Sequence, residues 1–385
     1  MKKICVVIGS RANYSSIRSV LKSISLDSNL QLQLIVGASA LLSRYGSVID
    51  LIRKDGFNID GKVNMLIEGE SPTTMAQSTG VGLLNIPPLF EDLEPDIVLT
   101  VGDRFETMAT AISAAYMNIP LAHTMGGEVS GTIDESIRHA ITKFAHIHFP
   151  SSKQAYDRIV RMGEEKENVH LVGCPRIDIV KDILTEAEPY TKISNRIFDQ
   201  GVGEKIDIDS EFILVSQHPV TTEYGHGKEQ ILNTLNAVKK IGFPAIVLWP
   251  NADAGSEDLA KGIRTWRERG DSAKIHFFKN LPMEIYIQLM KRTLCLVGNS
   301  SSGIREGAFI GTPAVNIGTR QAGRERGENV LDIDYSENNI IKAIKSQIDH
   351  GPFQSKKIYG DGFSGEKIAK ILSSKKVSIQ KRITY

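Results

Sequence analysis

Asp96-Ile97-Val98-Leu99-Thr100-Val101 is a short run dominated by apolar and β-branched residues. It stops at Gly102-Asp103-Arg104, and a helical pattern then covers 105–117. A strand this apolar has no face suited to water, so it belongs inside a parallel sheet covered by helices on both sides. The same succession recurs around it. Towards the N-terminus stand a strand-like run at 4–9, a helix-like segment from Ser15 and a second run at 32–36. Towards the C-terminus, 121–124, 147–149 and 169–172 read as strands, with helices at 134–145 and 153–162. The first half therefore reads as one doubly wound domain.

A polar, weakly periodic stretch at 185–210 reads as a linker, after which the alternation restarts. Strands are expected at 212–216, 245–248, 275–278, 295–297, 314–317 and 330–333, and helices at 228–239, 256–268, 283–291, 303–309 and 338–348. A chain of 385 residues exceeds what one hydrophobic core usually supports. The expected architecture is α/β, with Rossmann-type domains at 1–185 and 205–362. A last helix and basic tail at 363–385 are expected to cross back to the first domain. Ligands bind open parallel sheets at the carboxyl ends of strands, so two such domains imply a cleft lined by strand-end loops.

The formal net charge is +1, with both signs mixed along the chain, which argues against a broad surface for nucleic acid or anionic lipid. An anionic ligand must then be held locally. Cys5, Cys174 and Cys295 show neither a disulfide framework nor zinc-type spacing and read as buried thiols. The apolar run at 4–9 is too short for a signal peptide and no span is long enough for a membrane, so a cytoplasmic protein is expected.

Five polar clusters fall at expected strand ends. Gly9-Ser10-Arg11-Ala12-Asn13-Tyr14-Ser15 joins a strand to a helix, where backbone N–H groups and a permanent guanidinium charge suit phosphate. Gly102-Asp103-Arg104 offers a carboxylate that either caps the next helix or faces a ligand. His123-Thr124-Met125-Gly126-Gly127-Glu128 and Gly131–His139 combine glycines with Asp134 and Glu135 at a helix start. Gln217-His218-Pro219-Val220-Thr221-Thr222 places an imidazole after a strand, to donate a proton to a departing phosphate or to help bind it. Gly298-Asn299-Ser300-Ser301-Ser302-Gly303-Ile304-Arg305-Glu306 reads as a diphosphate cradle, with Glu306 placed to accept from ribose hydroxyls. It lacks the Gly-Lys-Ser/Thr ending of a Walker loop. Gly318-Thr319-Arg320-Gln321 adds another arginine after a strand.

Together and in this order, the motifs GDRFE, GGEVSGTIDESIRHAITK, QHPVTT, GNSSSGIRE, GTPAVNIGTRQ, GENVL and KIYGDG resemble the hydrolysing UDP-N-acetylglucosamine 2-epimerases, from about Lys3 to Gly362. The resemblance implies a GT-B-like fold with the nucleotide held mainly by the second domain. It implies UDP contacts at Arg11, Ser15, Arg104, Asn251, Ser300, Ser301, Glu306 and Arg320, a diphosphate-side role for His218, and proton transfer by Asp103 and Asp134. Glu128 joins them as a catalytic candidate. The implied reaction eliminates UDP to a 2-acetamidoglucal and then adds water, with no cofactor and no metal. The implied assembly is a homodimer or homotetramer.

Two positions depart from the family pattern. Met125 stands where many relatives place the first glutamate of His-Ile-Glu-Gly-Gly-Glu, and Ser16 stands where a lysine is frequent. Three readings follow: the epimerase acting on UDP-N-acetylglucosamine, the same reaction on UDP- or GDP-N,N'-diacetylbacillosamine, and a catalytically inactive protein that binds nucleotide sugars.

Overall fold

The computed structural model describes the chain apart from residues 44–45, 69–71, 131–132, 187–196, 251–254, 271–273, 280 and 385. The chain divides into two compact units. The first comprises Met1–Val129, Ile133–Ile179 and Tyr359–Tyr385, and most of the second is Val180–Ile358.

In the first unit the elements follow the order β1 (Lys2–Ile8), α1 (Arg11–Leu26), β2 (Leu30–Gly37), α2 (Val48–Lys54), β3 (Gly61–Val63), α3 (Pro72–Leu93), β4 (Ile97–Val101), α4 (Phe105–Tyr116), β5 (Leu121–Thr124), α5 (Ile133–Phe144), β6 (Ile147–Phe149) and α6 (Lys153–Arg161), followed by α7 (Pro175–Thr185), within which the division between the units falls. Six parallel strands lie in the order β3-β2-β1-β4-β5-β6. This is the doubly wound order, which reverses direction between β1 and β4. Every residue of β4 is buried, as its mainly apolar character requires, and the one hydroxyl, Thr100 Oγ1, donates to Ala122 O at 3.0 Å. The core joins Cys5, Val7 and Val98 to Ile86 and Phe90 of α3 and to the small residues Ala109, Ala111 and Ala114 of α4.

The second unit contains β7 (Val202–Gly203), β8 (Ile213–Ser216), α8 (Gly227–Ile241), β9 (Ala245–Leu248), α9 (Ser256–Glu268), β10 (Ile275–Phe278), α10 (Met283–Arg292), β11 (Cys295–Gly298), α11 (Arg305–Ile310), β12 (Ala314–Ile317), β13 (Val330–Ile333) and α12 (Glu337–His350). Counted from β8, its parallel strands repeat the doubly wound order of the first unit, β10-β9-β8-β11-β12-β13, with the switch between β8 and β11. β7 adds an antiparallel edge beside β10. Trp266, Leu235, Phe277, Val297 and Ile340 anchor its core.

The last helix, α13 (Ser364–Ser374), belongs to the first unit. Asp178 of α7 accepts from the amides of Ser364 and Gly365 at 2.9 and 2.7 Å, which satisfies helix-start donors and docks α13. The structure adds α2, β3, α3 and α7 to the elements read from the sequence, and it corrects three of the readings. Residues 169–172 form no strand: Val169 makes a single bridge to His148, after a 3-10 turn at Lys166–Asn168. The stretch read as a linker carries β7 and buries Ile206 and Ile208, so part of it is core of the second unit. Helix α1 starts at Arg11, capped by Ser10, four residues before the expected Ser15. All three cysteines are buried, and burial pushes the Cys5 and Cys295 thiols well above their ordinary range.

Candidate active site

In each unit, the polar clusters gather where the strand order reverses. In the first, the turns after β1 and β4 lie side by side. Asn13 joins them, its Nδ2 donating to Val101 O at 3.2 Å while its Oδ1 accepts from Gly9 N at 3.2 Å. Ser10 Oγ accepts from Asn13 N at 3.2 Å. Two amides of the expected phosphate turn are thus engaged within the loop itself. Glu106 lies against the same turn, where a Cβ on Gly9 would overlap its side chain, so only glycine fits there. Glu106 is buried and accepts from Arg104 Nε at 3.1 Å. Arg11 opens α1 and Ser15 follows one turn later, both partly exposed.

Asp103 is gripped by Arg138, a side chain only 2% exposed on α5. Nε of Arg138 donates to Asp103 Oδ2 at 2.9 Å, Nη2 donates to the same oxygen, and Nη1 donates to Glu128 O at 2.7 Å. One guanidinium therefore locks the β4 turn to the glycine loop after β5. Asp134 stands four residues before Arg138, on the same face of α5. The Glu128 side chain is buried.

The loop at 125–128 is held from several sides. Met125 N donates to Phe149 O at 3.0 Å, and Arg158 Nη1 donates to Gly127 O. Met125 adopts φ 62, a left-handed conformation unfavourable for a bulky residue, and is 8% exposed. Beneath it His123 is wholly buried, with Nε2 2.8 Å from Gly102 O. A carbonyl only accepts, so Nε2 carries the hydrogen. Burial holds the His123 pKa at about 4, and the ring is neutral at pH 7.

At the switch point of the second unit, Asn299 is completely buried and exchanges two hydrogen bonds with the His218 peptide. The carbonyl of Asn299 accepts from Gln321 Nε2 at 2.9 Å and from Arg320 Nη1 at 3.3 Å. Loops after β8, β11 and β12 are joined through this one residue. Gly298 has φ 134, and a Cβ there would strike the Ser216 carbonyl, so the close approach of β11 to β8 demands glycine. His218 is buried, and desolvation together with the Arg320 charge pushes its pKa down to about 3.

Hydroxyls cluster beside this junction. Ser300 Oγ lies 2.8 Å from Ser302 Oγ, which lies 2.6 Å from the Tyr286 hydroxyl. Ser301 opens a 3-10 turn, Ser301–Gly303, that leads into the short α11, where Glu306 is buried. Asn251 lies outside the described residues.

The structure thus brings together Asp103, Glu128, Arg11 and Arg104 around the first switch point, with Asp134 on the helix that grips Asp103. Around the second it brings together His218, Ser300, Ser301 and Arg320. Sequence reasoning missed Arg138, Asn13, Asn299 and Gln321. The i, i+4 spacing of Asp134 and Arg138 was the available signal for the first of these.

Two Rossmann-like units with polar switch-point loops define a GT-B-like α/β protein, as expected. A family model described as UDP-N-acetylglucosamine 2-epimerase matches residues 22–373, and the chain belongs to that family. The UDP-N,N'-diacetylbacillosamine 2-epimerase (hydrolyzing) of Legionella pneumophila is 33% identical over 374 residues, covering 97% of this chain and 96% of that one. A UDP-N-acetylglucosamine 2-epimerase of Neisseria meningitidis is 31% identical and covers 99% and 98%. Among solved structures, UDP-GlcNAc 2-epimerase from Neisseria meningitidis bound to UDP-GlcNAc superposes with a TM-score of 0.81 at 17% identity, over 96% of this chain and 99% of that one. At that identity the likeness speaks for the fold.

Proposed function

We propose that the protein is a hydrolysing 2-epimerase: it removes UDP from a UDP-linked 2-acetamido sugar and returns the free sugar inverted at carbon 2. The observation that carries this reading is the Arg138 fork, which fixes the Asp103 carboxylate at the β4 switch point beside the Glu128 loop.

The second unit holds UDP through Arg320, Ser300, Ser301, Glu306 and the His218 loop. Departure of UDP leads, because the proton on carbon 2 is not acidic until the bond from carbon 1 to oxygen weakens. Positive groups stabilise the charge that develops on the diphosphate. Asp103 takes the carbon 2 proton as that bond breaks; the electron pair of the carbon 2–hydrogen bond becomes the double bond between carbons 1 and 2, and the pair of the carbon 1–oxygen bond leaves with UDP. The product of this step is the 2-acetamidoglucal. Water then adds its oxygen to carbon 1 and gives up one proton to solvent, while Asp134 or Glu128, in its protonated form, delivers a proton to carbon 2 from the other face.

His218, neutral in the free protein, donates a hydrogen bond to phosphate and becomes an acid only when the anion raises its pKa. A second reading keeps the chemistry and changes the sugar to a 2,4-diacetamido-trideoxy sugar. The apolar side chain of Met125 supports it, because such a sugar presents methyl groups, and so does the relative named for that substrate.

The experiment is incubation in deuterium oxide with UDP-N-acetylglucosamine and, in parallel, UDP-N,N'-diacetylbacillosamine. Free UDP with a carbon-2-deuterated, inverted sugar is the expected product, and the faster substrate identifies the sugar. UDP binding without turnover of either substrate would instead mark a nucleotide-sugar-binding protein.

A further inference from the structure

The chain beyond α13 grips the far ends of two elements whose near ends carry the site. Helix α5 bears Asp134 in its first turn and Arg138 in its second, and its last turn points away from them. The final carbonyls of a helix lack partners within it. Here Lys381 supplies them: its Nζ donates to Lys143 O at 2.9 Å, to Thr142 O at 3.4 Å and to Ala145 O. The same ammonium pairs with Glu164 Oε2 at 2.8 Å, with side chains only 24% and 4% exposed. Glu164 also accepts from Lys143 Nζ at 2.6 Å and faces His148 Nε2 at 3.0 Å.

Strand β5 is held in the same region. His146 Nδ1 accepts from Leu121 N at 3.1 Å, so its Nε2–H donates to Ile379 O at 3.0 Å. Leu121 begins β5, and the loop at 125–128 follows its other end. Further along, Thr384 N donates to Gly163 O at 3.3 Å. A solvated basic tail would show none of this. Lys381 is instead a C-cap that carries a charge favourable at a helix C-terminus.

We propose that Lys381 is a positioning residue for the reaction: by tying the last turn of α5 to Glu164, it sets the height of that helix and so the placement of Asp134 and of the Arg138 fork on Asp103. The proposal rests on the epimerase reading for the roles of Asp103 and Asp134. A hydrogen-bonded helix carries an axial displacement over the roughly 14 Å from Lys143 to Asp134. Misplacement of a reacting group by about 1 Å costs about a hundredfold in rate.

The test compares wild type, Lys381→Met and Lys381→Arg well below their melting temperatures. For Lys381→Met, kcat is expected to fall at least fivefold, with KM and UDP affinity within twofold of wild type. Lys381→Arg, which keeps a cation with several N–H groups, restores most of the loss. Amide hydrogen exchange in Lys381→Met is expected to speed up across the whole of α5, residues 133–138 included.

A smaller fall in kcat, no rescue by arginine, or parallel loss of UDP binding would each overturn the proposal. So would faster exchange confined to 139–145, the signature of simple fraying. If wild type itself releases no UDP from either sugar nucleotide, the epimerase reading fails. The exchange pattern still decides whether Lys381 controls the first turns of α5.

Discussion

Asn299 holds the His218 peptide on both sides, its Oδ1 accepting from His218 N at 2.7 Å and its Nδ2 donating to His218 O at 2.8 Å. Because Gln321 and Arg320 donate to the Asn299 carbonyl, three loops depend on one buried amide. Asn299→Ala removes both of these hydrogen bonds to His218, at about 1–3 kcal/mol of stability. UDP affinity is expected to weaken at least tenfold, read by calorimetry on protein that thermal unfolding shows to be folded. A folded variant with unchanged UDP affinity would remove this junction from the nucleotide site.

Asp103 and Arg138 make a second testable pair. Asp103→Asn keeps the shape but cannot take a proton, so turnover is expected to vanish while UDP affinity stays within a few-fold. Arg138→Lys keeps the charge but loses the fork that reaches both Asp103 and Glu128 O. Its kcat is expected to fall about a hundredfold, a misplacement effect, with a smaller change in KM. Normal turnover in Asp103→Asn would make that residue a structural partner of Arg138 only.

Charge on the departing diphosphate is met by arginines and backbone donors in this reading. Turnover is therefore expected to survive EDTA and exhaustive dialysis unchanged, and loss on chelation with recovery on adding a divalent cation would reject that part.

The sequence was most legible where one physical rule acts alone. β4, buried on both faces, is apolar but for the β-branched Thr100 and could be read directly, and the polar residues that follow such strands were found at the switch points. β3 is three residues with Lys62 at its centre, too short to show a period, and α3 contains Pro87 and Pro88, which interrupt a helical pattern. Val169 and Val172 are buried while Leu171 is exposed, and only one bridge joins this stretch to the sheet, so its apolar character reflects packing and not strand pairing. Arg138 looks like any polar position of an amphipathic helix until the fold sets it against Asp103, 35 residues away. Asn299 was read only as one position of the diphosphate cradle, whereas its side chain holds a peptide 81 residues earlier.

Gly9 and Glu106 link the first two motifs sterically. A methyl group at Gly9 meets the buried Glu106 side chain, so Gly9→Ala is expected to destabilise the protein by about 1–3 kcal/mol. Glu106→Ala removes the two nearest atoms, Cγ and Cδ, and leaves only its Cβ at 2.9 Å, so in that background the added methyl group is expected to cost less. Denaturant unfolding of the two single variants and the double variant measures the coupling. Additive effects would mean that the loop moves aside instead.

Buried histidines set the acid side of the stability profile. His123 and His218 are held at about 4 and about 3, below the value near 6.5 expected in the unfolded chain. Between those values the unfolded chain binds more protons than the folded one, so stability rises with pH across that window and falls as the solution is acidified below about 6.5. The melting temperature of the ligand-free protein is accordingly expected to drop from pH 7 to pH 5. UDP adds negative charge beside His218 in the proposed site, which raises its pKa and draws a proton on binding. Calorimetry at pH 5.5 in buffers of different ionisation enthalpy should then show net proton uptake with UDP, diminished in His218→Asn. Equal uptake in wild type and variant would place the diphosphate away from His218.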